Sequence, residues 1–198
     1  MRYLNRRVQN MIKFIHAINQ FAARSVPDIN GVSLLARLIL TGVFVGYFWS
    51  SALTKPGDGF FGFIHLSAVA YIQIFPKTVE QLEYDMDQLG VIHWIIAMMG
   101  TYSEFLLPAM IVLGLMTRLS AFGMIVFVCV QTLTDLYGHG VLADQRTVGA
   151  WFDRTVDSLI MDQRALWIFL LMFLCVAGGG RLSIDQWIKK RITAEGPA

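Results

Sequence analysis

Four long apolar stretches, nearly free of charge, constrain this chain more than anything else: Val32 to Leu53, Val91 to Thr117, Leu119 to Tyr137, and about Arg164 to Leu182. At about 1.5 Å per residue each reaches across a hydrocarbon core of about 30 Å. Inside such a core no water satisfies a free amide or carbonyl, so the backbone closes its hydrogen bonds within each segment and helix results. Composition agrees, since 56% hydrophobic and 15% charged residues are too apolar a mixture for a soluble domain of 198 residues. The expected fold is all-α, a four-transmembrane-helix bundle.

Between these stretches the charges sort by segment. Residues 1–30 carry Arg2, Arg6, Arg7, Lys13 and Arg24 among apolar residues at three- and four-residue spacing. That pattern suits an N-terminal amphipathic arm lying on anionic lipid, and equally an ordinary basic arm with a few apolar contacts. Phe60 to Pro76 is apolar but short, broken by His65 and Gln73 and preceded by Gly57 and Gly59, so it is expected to be interfacial or re-entrant rather than spanning.

The short turn at Gly114 carries Arg118, and the tail from Arg181 adds Lys189, Lys190 and Arg191, whereas the two longer loops are net acidic. Four spans put all the basic segments on one side, which by the positive-inside rule is the cytoplasm, with both termini there. A fifth span at Phe60 to Pro76 would separate arm from tail. The expected organisation is a basic arm (1–30), a membrane domain (31–186) and a basic cytoplasmic tail (187–198). No cleavable signal pattern follows Met1, so the first apolar run is expected to serve as its own insertion signal. The partner implied directly is the lipid bilayer; no basic tract tracks a phosphate backbone, so no nucleic acid is expected.

Glu104 lies well inside the second apolar stretch, where an unpaired carboxylate costs a few kcal/mol or more. It can relay a proton, bind a quinone head group, or pair with Arg37; Tyr47, Tyr102 and Ser103 are further hydrogen-bond partners. Those five residues form the expected polar membrane pocket, although Arg37 near the start of its span also suits plain snorkelling to the interface. At the opposite, outer boundary stand Lys55, His65, His93, Asp135 and His139. Asp135 and His139 have i, i+4 spacing, yet Gly138 and Gly140 around the histidine suggest that the helix has ended. Spacing alone does not supply the three or four converging ligands that a metal needs, so no metal site is assigned. Cys129 and Cys175 lie inside apolar runs with no CxxC pattern. The tryptophans fall mostly near span ends, as aromatic belts do.

Four features carry a resemblance: Arg37 to Lys55 in the first span, Glu104 in the second, Gly-Leu-Met-Thr-Arg-Leu from Gly114 to Leu119, and Gly-Gly-Arg-Leu-Ser-Ile-Asp from Gly179 to Asp185. Together and in this order, from about Leu34 to Asp185, they resemble the DoxX family of small bacterial four-helix membrane proteins. The resemblance implies the bacterial inner membrane and a subunit of a redox or stress-response system. Members are described as oxidoreductases because a relative forms the membrane subunit of an archaeal thiosulfate:quinone oxidoreductase. Quinone is the implied cofactor and a membrane or periplasmic protein the implied partner. No catalytic residue follows from it. The alternative is a non-enzymatic membrane scaffold or small-molecule carrier for a partner protein.

Overall fold

The structure, a computed structural model, describes residues 8–14, 16 and 28–194. Of the arm expected over 1–30, residues 8–14 are helical, with Val8, Met11, Ile12 and Phe14 exposed. Most of the remaining arm lies outside the described residues.

Helix α1 (Ile29–Ala52) starts at Asp28, whose carboxylate accepts from the Gly31 amide at 3.0 Å and receives Arg181 Nη2 at 2.7 Å. The Asn30 side chain and the Gly31 amide hold the Asp28 carboxyl below the usual carboxylate range. Two short helices follow, α2 (Ala68–Ile74) and α3 (Pro76–Gln81), then α4 (Val91–Leu113). Helix α5 (Thr117–Leu133) continues through a π turn at Thr134–Gly138. A second π turn, Leu159–Arg164, leads into α6 (Ala165–Ala177), and α7 (Ile184–Ala194) ends the described chain. Among the described residues no strand occurs, only an isolated bridge between Pro56 and Leu66.

Four helical segments are long and apolar enough to cross a membrane: Ile29–Ala52, Val91–Leu113, Thr117–Gly138 and Leu159–Ala177. The chain is a multi-pass membrane protein with an all-α four-helix bundle. Phe60 to Pro76 is not a span; it holds turns and the seven residues of α2, which rise only about 10 Å.

The spans form an up-down-up-down ring in which α1 packs on α4 and α6, and α5 packs on the same two. Ala36, Leu40, Phe44 and Phe48 at i+4 steps make one stripe on α1. They meet Ala121, Met124 and Val128 of α5 and Trp167, Leu171 and Leu174 of α6. Trp167, instead of joining an aromatic belt, is buried edge-on against Phe44 at 5.5 Å and Tyr47 at 5.4 Å. Because lipid tails are as apolar as these side chains, close packing and buried polar bonds hold such a bundle, rather than withdrawal from water.

At the end where α4 meets α5, Gly114 adopts φ 64°, and a Cβ there would lie 2.5 Å from Ser183 Cβ and 2.8 Å from Arg37 Cζ. Only glycine fits. Arg37, 5% exposed, donates from Nε to the Ile111 carbonyl at 2.9 Å, from Nη2 to Val112 at 2.5 Å, and from Nη1 to Gly179 and Leu182 at 2.7 and 2.8 Å. The first two carbonyls belong to the last turn of α4, where the Ile111 carbonyl also takes the Gly114 amide at 3.1 Å and carbonyls run short of helical donors. Asp185 supplies the converse cap: its carboxylate accepts from the Met116 and Thr117 amides at 2.7 and 2.8 Å and from Thr117 Oγ1 at 2.7 Å. A cation at one helix C-terminus and an anion at the next N-terminus also suit the two macrodipoles. Both glycine-containing segments that carry the resemblance thus meet in one clasp, and α7 runs through residue 186, where the membrane domain was expected to end.

Candidate functional site

At the opposite end of the bundle the chain leaving α1 turns back. The Lys55 carbonyl accepts from the Ser67 amide at 2.8 Å, and the Gly57 amide donates to both the Gly62 and His65 carbonyls at 2.8 Å. A Cβ on Gly62 would sit 1.8 Å from the Gly57 carbonyl oxygen, so the loop closes this tightly only with glycine. Two side chains of α4 hold the loop down: Trp94 Nε1 donates to the Ile64 carbonyl at 3.0 Å, and the Tyr102 hydroxyl donates to Phe63 at 2.8 Å.

This fold-back drives Lys55 into the bundle. The residue is 1% exposed, and its ammonium donates to Ser51 Oγ at 2.9 Å and makes a short ion pair with Glu104 Oε2. Glu104, 6% exposed, sits on the face of α4 that also buries Ala97, Thr101, Pro108 and Ile111. Pro108 lies four residues on, so the Glu104 carbonyl lacks its usual helical donor as well.

The pair forms one wall of a cavity of about 500 Å³ between α4 and α5, roofed by Gln73 and Ile74 of α2. Ile96, Met99, Gly100 and Ser103 line it from α4, and Gly123, Val126, Phe127, Val130 and Gln131 from α5. Ile96, Met99, Val126 and Val130 are exposed on spanning helices, so the rim faces lipid. Towards the loops the wall becomes polar, with Thr134, Asp135 and His139. Asp135 is paired with Arg164 Nη2 at 2.5 Å; Arg164, 2% exposed, also donates to Thr132 Oγ1 at 2.9 Å. His139 Nε2 meets the Gln73 carbonyl at 3.1 Å.

The chemistry-bearing residues thus gather differently from expectation. Arg37 and Glu104 are not brought together: Arg37 is committed to four carbonyls at the far end of α4. Ser103 lines the cavity with Glu104. Tyr47 and Tyr102 do not bond to Glu104; the Tyr47 hydroxyl accepts from Gln131 Nε2 at 3.3 Å, and Tyr102 clamps the loop. Lys55, Asp135 and His139, expected on an outer face, lie on the cavity wall. Asp135 and His139 do so because the π turn carries α5 through Gly138. His65 is exposed, and the His93 ring packs edge-on against Phe75 at 5.1 Å; neither lines the cavity. Arg164, Gln73 and Gln131 stand outside the expected site residues. A basic residue at the start of the fourth span, opposite an acid at the end of the third, was the available signal for Arg164. No group of three or more metal-ligating side chains converges among the described residues.

The DoxX family model matches residues 32–135. The chain belongs to the DoxX family. The match runs from α1 into the π turn of α5 and contains every cavity-lining residue except His139. It stops before α6 and the segment Gly179 to Asp185. No curated protein and no solved structure matches the chain.

In this DoxX-family chain the cavity pairs an apolar slot with charged groups held out of water. An ammonium has three N–H donors, and Lys55 uses two on Ser51 and Glu104, which leaves one for a ligand. A Lys–carboxylate pair in a low dielectric orients an acceptor strongly and exchanges a proton with it at short range. Apolar walls with a few convergent polar groups are the usual make-up of small-molecule sites.

Proposed function

We propose that this cavity binds the head group of a lipophilic quinone entering from the bilayer between α4 and α5, and that the protein is the membrane subunit of a redox or stress-response system. The observation that carries the reading is the buried Lys55–Glu104 pair on the wall of a lipid-rimmed cavity. A flat ring suits the slot between Met99 and Val126. One quinone carbonyl accepts the remaining Lys55 N–H, and the isoprenoid tail leaves past the exposed rim. When bound, a quinone would take up two electrons, supplied by a partner protein of the same membrane or the periplasm, and two protons; the Lys55 ammonium would give one to the nearer oxygen, water at the polar end of the cavity would supply the other, and Glu104 would pass a further proton from that water back to Lys55.

The test is purification in mild detergent followed by solvent extraction and mass spectrometry. Wild type is expected to carry near-stoichiometric quinone. Val126→Trp, which fills the slot from its rim, is expected to lose it with an unchanged melting temperature. Glu104→Gln is expected to abolish electron transfer in native membranes. Full electron transfer in Glu104→Gln, or full quinone content in Val126→Trp, would refute the site. Deleting only the loop after Gly140 separates the scaffold reading, which requires that loop rather than the carboxylate.

The same reading places the protein in the bacterial inner membrane with the clasp and both termini in the cytoplasm, the basic arm and tail flanking the membrane domain. Single cysteines at the exposed positions Glu83 and Lys190 check this in intact cells with a membrane-impermeant maleimide. Labelling at 83 and protection at 190 is the expected result, and the converse pattern reverses the orientation.

A further inference from the structure

Helix α7 is built inside out. Its polar side turns to the bundle: Asp185 caps α5, and Asp185, Gln186 and Lys189 line a cavity of about 550 Å³ against the ends of α5 and α6. Ile184, Trp187, Ile188 and Ile192 recur on the other side at three- and four-residue spacing, and Trp187 and Ile192 are 58% and 67% exposed. A helix packed on a protein in water shows the reverse arrangement.

What covers the stripe follows from its position and its charges. The Asp185 bonds tie the first turn of α7 to the first turn of a spanning helix, so the stripe begins at the membrane boundary. Leu119 and Phe122, near the start of that spanning helix, are exposed as well. Lys190 stands beside the stripe and Arg191, four residues after Trp187, within it, with the Arg191 guanidinium 5.1 Å from the Trp187 ring centre, and Arg118 adds positive charge at the same end, where Arg181 is paired with Asp28. The one acidic residue of α7 is consumed by the cap. Aromatic and aliphatic residues on one face with basic residues beside them match the boundary of an anionic leaflet.

We propose that α7 lies on the bilayer surface, its Trp187–Ile192 stripe sunk to the level of the acyl chains and Lys190 and Arg191 on the phosphates of anionic phospholipid. The clasp presets the helix for this contact, because the Asp185 bonds fix which face points away from the bundle.

The test uses full-length protein with Cys129→Ala and Cys175→Ala, spin-labelled at Ile192→Cys or at Thr193→Cys on the opposite face. It is reconstituted in nanodiscs of phosphatidylcholine, with or without phosphatidylglycerol. With phosphatidylglycerol, the label at 192 should relax several-fold more with oxygen than with a water-soluble nickel chelate, and the label at 193 should show the reverse. Without it, the preference at 192 should weaken. Equal access of the nickel chelate to both labels would overturn the proposal, and so would the same depth in both lipids. Shielding of 192 from both reagents together with spin–spin broadening would also overturn it, in favour of a second copy covering the stripe.

Discussion

Lys55→Met is expected to lower the stability of the folded protein by about 3–5 kcal/mol, the usual effect of removing one partner of a buried ion pair. The side chains are close in volume, so packing changes little. The loss comes from Glu104, left in a 6% exposed position without its ammonium partner. The companion change Lys55→Met/Glu104→Gln removes both charges and is expected to regain at least half of the loss, since a neutral pair carries no Born penalty. Reversible unfolding in mixed micelles, followed by tryptophan fluorescence, measures all three proteins. A single-variant loss under about 1 kcal/mol would mean that the pair behaves as a solvated surface bridge. The double variant also separates the two roles of the pair: it should fold and yet fail to retain quinone.

Arg37→Gln is expected to be as damaging, by a different route. Four carbonyl acceptors converge on the guanidinium, two from the end of α4 and two from the chain after α6. Hydrogen bonds to a charged group contribute about 1.5–3 kcal/mol each, and each buried acceptor left alone costs about 1–3 kcal/mol. Glutamine offers two donors on a shorter arm, so at least two of the four charged bonds are lost, and although the Ile111 carbonyl keeps the Gly114 amide, a total loss of at least about 3 kcal/mol follows. Arg37→Lys keeps the charge but not the fork, and should recover only part of it. The control is Arg118→Gln, an exposed site where a change within about 0.5 kcal/mol is expected. Thermal melts of the purified proteins decide it, and a wild-type melting temperature for Arg37→Gln would remove Arg37 from the clasp.

These two residues also show where reading the chain succeeds and where it stops. The four spans are legible because length and hydropathy are what the bilayer selects, and the non-spanning character of Phe60 to Pro76 is legible from its shortness and its interruptions. The carboxylate that needed a partner is legible too. Its partner is not: Lys55 lies beyond the end of α1, and only the glycine-closed fold-back from Pro56 to Leu66 returns it to the depth of Glu104. Arg37 invites an acidic mate by charge alone, but its mates are backbone carbonyls, which every residue carries and no pattern marks. The reach of α5 to Gly138 is hidden because a single π turn of five residues is too short to show a period; there, a Cβ on residue 138 would stand 2.9 Å from Pro76.

The clasp sets an order on how the molecule is made. The α4–α5 hairpin carries neither of the groups that finish its ends: the guanidinium comes from the preceding span, and the carboxylate from residue 185, after the last one. While the ribosome is still extending the chain, the hairpin can insert and find Arg37, but the amides of Met116 and Thr117 wait for Asp185. Completion of the bundle is therefore a late event in synthesis, reached only when the segment beyond the fourth span has emerged.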